Sequence, residues 1–182
     1  MSLWKVFMKN PTKLGMFLVA GLFAVGVHSE PLNFDVGYSK LHYTEDGGIS
    51  FNTENVKFAL SRNNFEAMAS VNVRSSKEQV NGSYLESSIP YILGVFYKPE
   101  INLGSGIDLF ARVGLTHLSR QFKGPNVTGG KYSDTTNGLG YGLGMSMLST
   151  YKSKVTLDYT SYYNRGGIAV NGLSLTHTFL LP

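Results

Sequence analysis

Residues 116–126, THLSRQFKGPN, hold the spacing in this chain best suited to chemistry. His117 and Ser119 stand two apart, so an extended strand places both on one face. Side by side, the imidazole can take the proton of the serine hydroxyl and make it a nucleophile, as in hydrolases. The acid that would orient the ring is not adjacent; Asp134 is the nearest downstream. The opposing reading makes both of them polar residues at the point where a strand leaves an apolar layer. Other candidates are thinner. His28, His42 and His177 are scattered, cysteine is absent, and no spacing suits a metal site or a G-x-S-x-G elbow. No metal and no cofactor are expected.

A second motif, GLGYGLGMSML at 138–148, puts glycine at every other position. A dinucleotide loop needs G-x-G-x-x-G opening into a helix, and this spacing rejects it. A period of two belongs to a strand. Gly138, Gly140, Gly142 and Gly144 then line one face, and Leu139, Tyr141, Leu143 and Met145 the other.

The elements that position these motifs read off by the same alternation. Strands are expected over 32–38, 49–60, 65–74, 84–97, 107–116, 138–148, 154–159 and 168–181. In the second, Ile49 and Phe51 are out of phase with Val56, Phe58 and Leu60, which points to a bulge or to a hairpin leaving its supporting layer. Pro90 interrupts the fourth and implies a local bulge there. The longest loop is expected from Arg120 to Thr136.

Before these strands, Lys5, Lys9 and Lys13 precede a run of 12 apolar residues, MFLVAGLFAVGV. This is the pattern of a cleavable secretory signal peptide, too short for a membrane-spanning helix. Residues 1–29 are assigned to it and 30–182 to one domain. Removing its three lysines from the 16 Lys and Arg leaves 13 against 12 Asp and Glu. A near-neutral mature chain speaks against a nucleic-acid partner.

Eight strands suit a soluble sandwich as well as a barrel, so the face that carries charge decides. Asp35, Glu66, Arg74, Glu86, Asp108, Arg112, Lys154 and Asp158 fall on one set of faces; the opposing set is almost wholly apolar, with tyrosines towards strand ends. Apolar faces of this length match a tilted strand in lipid, and lipid demands a closed barrel. The expectation is an all-β, eight-stranded antiparallel up-and-down transmembrane β-barrel. Its narrow lumen would be filled by Arg112, Asp158, Asp108, Lys154, Glu66 and Glu86. The glycine face would let Arg112 and Asp158 meet across it, with Asp108 and Lys154 paired nearer the periplasmic end. The alternative role of the glycines is barrel curvature alone.

GLGYGLGMSM followed by KVTLDYTSYY, and the closing NGLSLTHTF, resemble the small eight-stranded outer-membrane barrels: the OmpX, Ail-type and opacity-type surface proteins and the OmpA membrane domain. The final Phe179 is followed here by Leu180, Leu181 and Pro182. The resemblance implies a monomeric, non-enzymatic surface protein of a Gram-negative outer membrane, in contact with outer-membrane lipid and lipopolysaccharide. Adhesion, colonisation and envelope integrity are the implied roles. The 41–53 hairpin and the 120–136 loop would carry them; Arg120, Lys123 and Lys131 either meet lipopolysaccharide phosphates or a host-surface ligand or form a solvated rim.

THLSRQ is also similar to the H-x-S segment of the outer-membrane lipid A deacylases. That resemblance implies a hydrolase using a lipid-facing His117 and Ser119, although Arg120 stands where those enzymes carry asparagine. A third reading is a soluble carrier barrel, which would need its apolar faces turned inward.

Overall fold

The computed structural model describes residues 32–46, 48–80, 83–125 and 127–181; the expected signal peptide lies outside them. Ten strands occur among the described residues: β1 (Leu32–Glu45), β2 (Ile49–Arg62), β3 (Phe65–Arg74), β4 (Ser76–Val80), β5 (Ser83–Tyr97), β6 (Glu100–Gly104), β7 (Ile107–Lys123), β8 (Lys131–Thr150), β9 (Ser153–Arg165) and β10 (Ile168–Leu181). Eight of them form a closed antiparallel ring in the order β1, β2, β3, β5, β7, β8, β9, β10. It closes where β1 pairs with β10 from Leu32↔Leu181 to Glu45↔Ile168. The short β4 lies on β5, and β6 on the start of β7. The chain reverses tightly at the end where β1 begins and β10 ends, with Asn63 in the left-handed region (φ 55°) between β2 and β3. We call this the turn end and the opposite end the loop end.

Along the turn-end half, the side chains follow the sequence pattern. Val36, Tyr38, Phe58, Leu93, Val113, Leu143, Tyr159 and Leu175 point outward into an apolar belt, while Asp35, Lys57, Glu66, Arg112 and Asp158 are buried inside. On β8 the belt runs from Leu139 to Met147, which for a strand tilted ~40° at ~3.3 Å per residue is roughly 20–23 Å, the height of a hydrocarbon layer. Phe34 stacks near Phe179 (6.4 Å) and Phe65 near Tyr97 (5.7 Å) at the belt's turn-end edge.

Towards the loop end the pattern reverses without a break in the strands. On β1, Lys40, His42 and Thr44 face out, and Leu41 and Tyr43 are fully buried. On β8, Lys131, Ser133, Thr135 and Asn137 continue outward above Leu139. The β1–β2 register is continuous from Asn33↔Ser61 to Glu45↔Ile49. The change of apolar phase in β2 is therefore this inversion: Phe51 faces the interior, and Val56, Phe58 and Leu60 the belt. A bulge does lie at Glu54/Asn55, on the side of β2 that faces β3.

Two seams open the wall at the upper edge of the belt. Among the described residues, β2 pairs with β3 only up to Glu54↔Arg74, and β8 with β9 only up to Tyr141↔Ser161. The loop end thus divides into two four-stranded leaves, β9–β10–β1–β2 and β4–β5–β7–β8. Each seam is closed at its base by a side chain. Asn72 donates to the Glu54 and Arg74 carbonyls at 3.3 and 3.1 Å; Thr116 donates to those of Gly138 and Tyr162. These bonds satisfy groups left where the ladder stops. Between the leaves lies an apolar core: Leu41, Tyr43, Phe51 and Val170 from one, Ile89, Ile92, Leu118 and Phe122 from the other. Tyr43 stacks on Phe51 at 4.5 Å, and Phe122 meets both edge-on.

Three expectations change here. The segment 120–136 is mostly strand, since β7 runs to Lys123 and β8 begins at Lys131; polar residues on the outer face of a strand beyond the belt have the composition of a loop. The polar stretch after Arg74 contains β4. Ile89, which strict alternation along 84–97 would place on the apolar outer face with Leu93 and Tyr97, is fully buried inside. The register of β5 slips by one residue between Ser88 and Tyr91, around Pro90, and a slip of one turns every later side chain to the other face.

Candidate functional site

The lumen is filled by a chain of alternating charge. Asp158 holds Lys57 at 2.8 Å and Arg112 at 3.5 Å. Arg112 reaches Glu66 at 3.0 Å, and Glu66 reaches Lys98 at 3.5 Å. Lys98 continues to Glu100 at 3.1 Å, Glu100 to Lys154 at 4.0 Å, and Lys154 to Asp108 at 2.7 Å. Cations and carboxylates alternate one for one, which limits the cost of holding them away from water. Thr160 donates a further hydrogen bond to Asp158 (3.0 Å), and Asn102 one to Asp108 (2.6 Å).

Of the residues expected to fill the lumen, Arg112, Asp158, Asp108, Lys154 and Glu66 are in this chain. Glu86 is not. It lies outside the leaf of β5 and pairs with Lys123 at 3.7 Å, both partly exposed. The Pro90 slip accounts for this, because it turns Glu86 outward as it turns Ile89 inward. Lys57 and Lys98 carry the network as much as Arg112 does. The alternation that puts Phe58 and Tyr97 outside already turns both lysines inward.

The glycine stripe faces aromatic rings more than the ion pair. A Cβ on Gly140 would meet Phe96 and Thr116 at 2.9 and 2.8 Å; one on Gly138 would meet Tyr163 at 2.5 Å. On Gly144 it would strike Phe110 and Asp158, and on Gly142 the Tyr159 carbonyl. Those rings in turn carry the cations: Arg112 lies 5.0 Å from the Phe110 centroid and Lys98 4.4 Å, in cation–π contact. The bare strand therefore makes space for the rings on which the network rests.

His117 and Ser119 both lie on β7 near the belt's upper edge, but the ring nitrogens of His117 are engaged sideways. Nδ1 is 2.7 Å from Asn137 Oδ1 and Nε2 is 3.3 Å from the Tyr91 hydroxyl. Ser119 is buried, opposite Tyr91 and Thr135 in the ladders. The geometry does not couple the imidazole to the serine.

Arg120 corrects another expectation, because it turns inward at the mouth. It donates to the Tyr43 hydroxyl at 2.8 Å and to Asp134 at 3.0 Å, and lies 3.6 Å from Glu45. Tyr43 in turn donates to Glu45 at 2.6 Å. Burial, with Glu45 beside it, pushes the Tyr43 phenol up to about 12 against the opposing pull of Arg120, so it stays a donor. Even-numbered Arg120 follows the inward phase of Thr116 and Leu118, which makes it a latch between the two leaves. Lys123 and Lys131 face each other across β7 and β8 and are exposed.

Above the latch a cleft of about 330 Å³ opens between the leaves. Ile49, Leu85, Phe122, Val127 and Tyr132 form its walls, and among the described residues Glu45 is the one charged residue lining it. The Phe122 and Tyr132 rings are neighbours, with centroids 6.3 Å apart.

No family model matches the sequence, and no curated protein is significantly similar to it. Solved structures do share the fold. The surface protein NspA of Neisseria superposes with a TM-score of 0.62 at 12% identity, over 81% of this chain and 96% of that one. Ail, the attachment invasion locus protein of Yersinia pestis, in complex with the heparin analogue sucrose octasulfate, gives 0.58 at 18% identity, over 85% of this chain and all of that one. A major outer membrane protein from Thermus thermophilus gives 0.50 at 13% identity, over 85% and all of the respective chains.

Proposed function

We propose that this chain is a surface β-barrel of a bacterial outer membrane, non-enzymatic, acting through its loop end. The observation that carries the reading is the inversion of polarity along single strands: apolar outside and charged inside over the belt, polar outside and apolar inside above it. One half is built for lipid, the other for water, and the filled lumen leaves the projecting head as the working surface. The shared fold with Ail and NspA supports this place in the cell. Attachment through the head, to a host-surface ligand or to lipopolysaccharide, is the proposed role; exposed Lys123 and Lys131 supply charge for anionic groups. The protein is proposed to act as a monomer.

The test is fractionation of expressing cells with surface labelling of Lys131. Recovery in the outer membrane, a mobility shift on boiling and labelling in intact cells are expected. A soluble periplasmic product would overturn the reading, and unchanged attachment to host cells on expression would remove its adhesive part.

A further inference from the structure

We propose that the cleft between the two leaves is a binding site for a small amphipathic organic cation, an alkyl- or arylammonium whose apolar body enters first. The inference rests on reading the loop end as the working surface. Three observations lead to it. The cleft is built, not incidental: its walls come from both leaves, and Arg120 holds those leaves together by reaching from β7 to Tyr43 and Glu45 on β1. Its volume of about 330 Å³ is at the small end of the range for small-molecule sites.

Its charge also has a sign. Glu45 is the charged group that lines the cleft, and the guanidinium nearest to it is shared with Asp134, at 3.6 and 3.0 Å respectively. Two carboxylates on one cation leave the floor one negative charge in excess. The aromatic walls agree with that sign. Phe122 and Tyr132 line the cleft, and aromatic rings attract cations and do nothing for anions. An apolar molecule without charge would gain only the walls. An anion would meet Glu45.

The experiment uses the purified barrel in detergent micelles, with methyl NMR shifts of Ile49 and Val127 as the readout, titrated with phenethylammonium, 2-phenylethanol and phenylacetate. Phenethylammonium is expected to saturate these shifts with an affinity about tenfold or more above 2-phenylethanol, and phenylacetate to bind more weakly still. Glu45→Gln is expected to bring the ammonium and the alcohol to similar affinity, and Ile49→Ala to weaken both alike. Retained heat-dependent gel mobility serves as the folding control for each variant. Equal affinities in the unmodified protein, a preference for phenylacetate, or no saturable shift would each overturn the proposal. None of these outcomes touches the fractionation result, and a failure of fractionation leaves the titration readable.

Discussion

The Lys57 ammonium lies 2.8 Å from the Asp158 carboxylate, with both side chains sealed from solvent and their residues 101 positions apart in the chain. Removing one member of a buried pair costs up to about 3–5 kcal/mol, and Asp158 would keep only Arg112 at 3.5 Å and the Thr160 hydroxyl at 3.0 Å. Lys57→Met is therefore expected to destabilise the barrel by that order, read as a lower midpoint of urea unfolding in detergent. The double variant Lys57→Met with Asp158→Asn should recover part of the loss. A single variant as stable as the parent would show that the pair carries no weight.

Glycines of the stripe are expected to differ in tolerance. A Cβ on Gly142 meets the Tyr159 carbonyl at 2.5 Å, whereas on Gly138 it meets the edge of the Tyr163 ring. Backbone in a closed ring cannot give way, but a ring can turn. Gly142→Ala should cost about 1–3 kcal/mol by overpacking, and Gly138→Ala less. The same unfolding midpoints decide the order.

Position along a strand, not strand identity, should decide what charge does on the outer face. Leu143 and Thr135 both face outward on β8, the first in the belt and the second above it. Leu143→Arg is expected to cost about 2–4 kcal/mol in a bilayer and Thr135→Arg about 0–1. Equal costs in reversible folding into vesicles would place the upper edge of the belt elsewhere.

Breaking the latch should loosen the head alone. Arg120→Met loses the hydrogen bonds to Tyr43 and Asp134, each worth about 1.5–3 kcal/mol when one partner is charged. Hydrogen exchange is expected to quicken at residues 41–45 and 118–122 and to stay slow at 109–115. Uniformly faster exchange would mean that head and ring unfold as one unit.

Alternation made the eight wall strands legible, together with the inward phase of Arg112, Asp158 and the glycines. It could not say which inward residues meet. Partners such as Lys57 on β2 and Asp158 on β9 face each other only because the ring closes with a particular stagger, and closure leaves no mark at either residue. The outward turn of Glu86 was hidden for a related reason. Pro90 signalled a bulge, but which side chains it would flip depends on the count of residues opposite, and that is fixed by β7. Arg120 looked like a loop cation because the water-facing part of β7 is polar outside, as a loop is.

The two seams, each ended by one side chain, divide the labour of the chain. Below Asn72 and Thr116 every strand depends on both neighbours, so a change of length there must be matched all around the ring. Above them, among the described residues, the two leaves share no backbone ladder and meet through side chains, at the apolar core and the Arg120 latch. Whole residues can be added or lost at the tips between β1 and β2, or between β7 and β8, without disturbing closure. The head can therefore change in length while the ring stays constant. An inserted epitope at either tip would be displayed on a stalk whose footing it never touches.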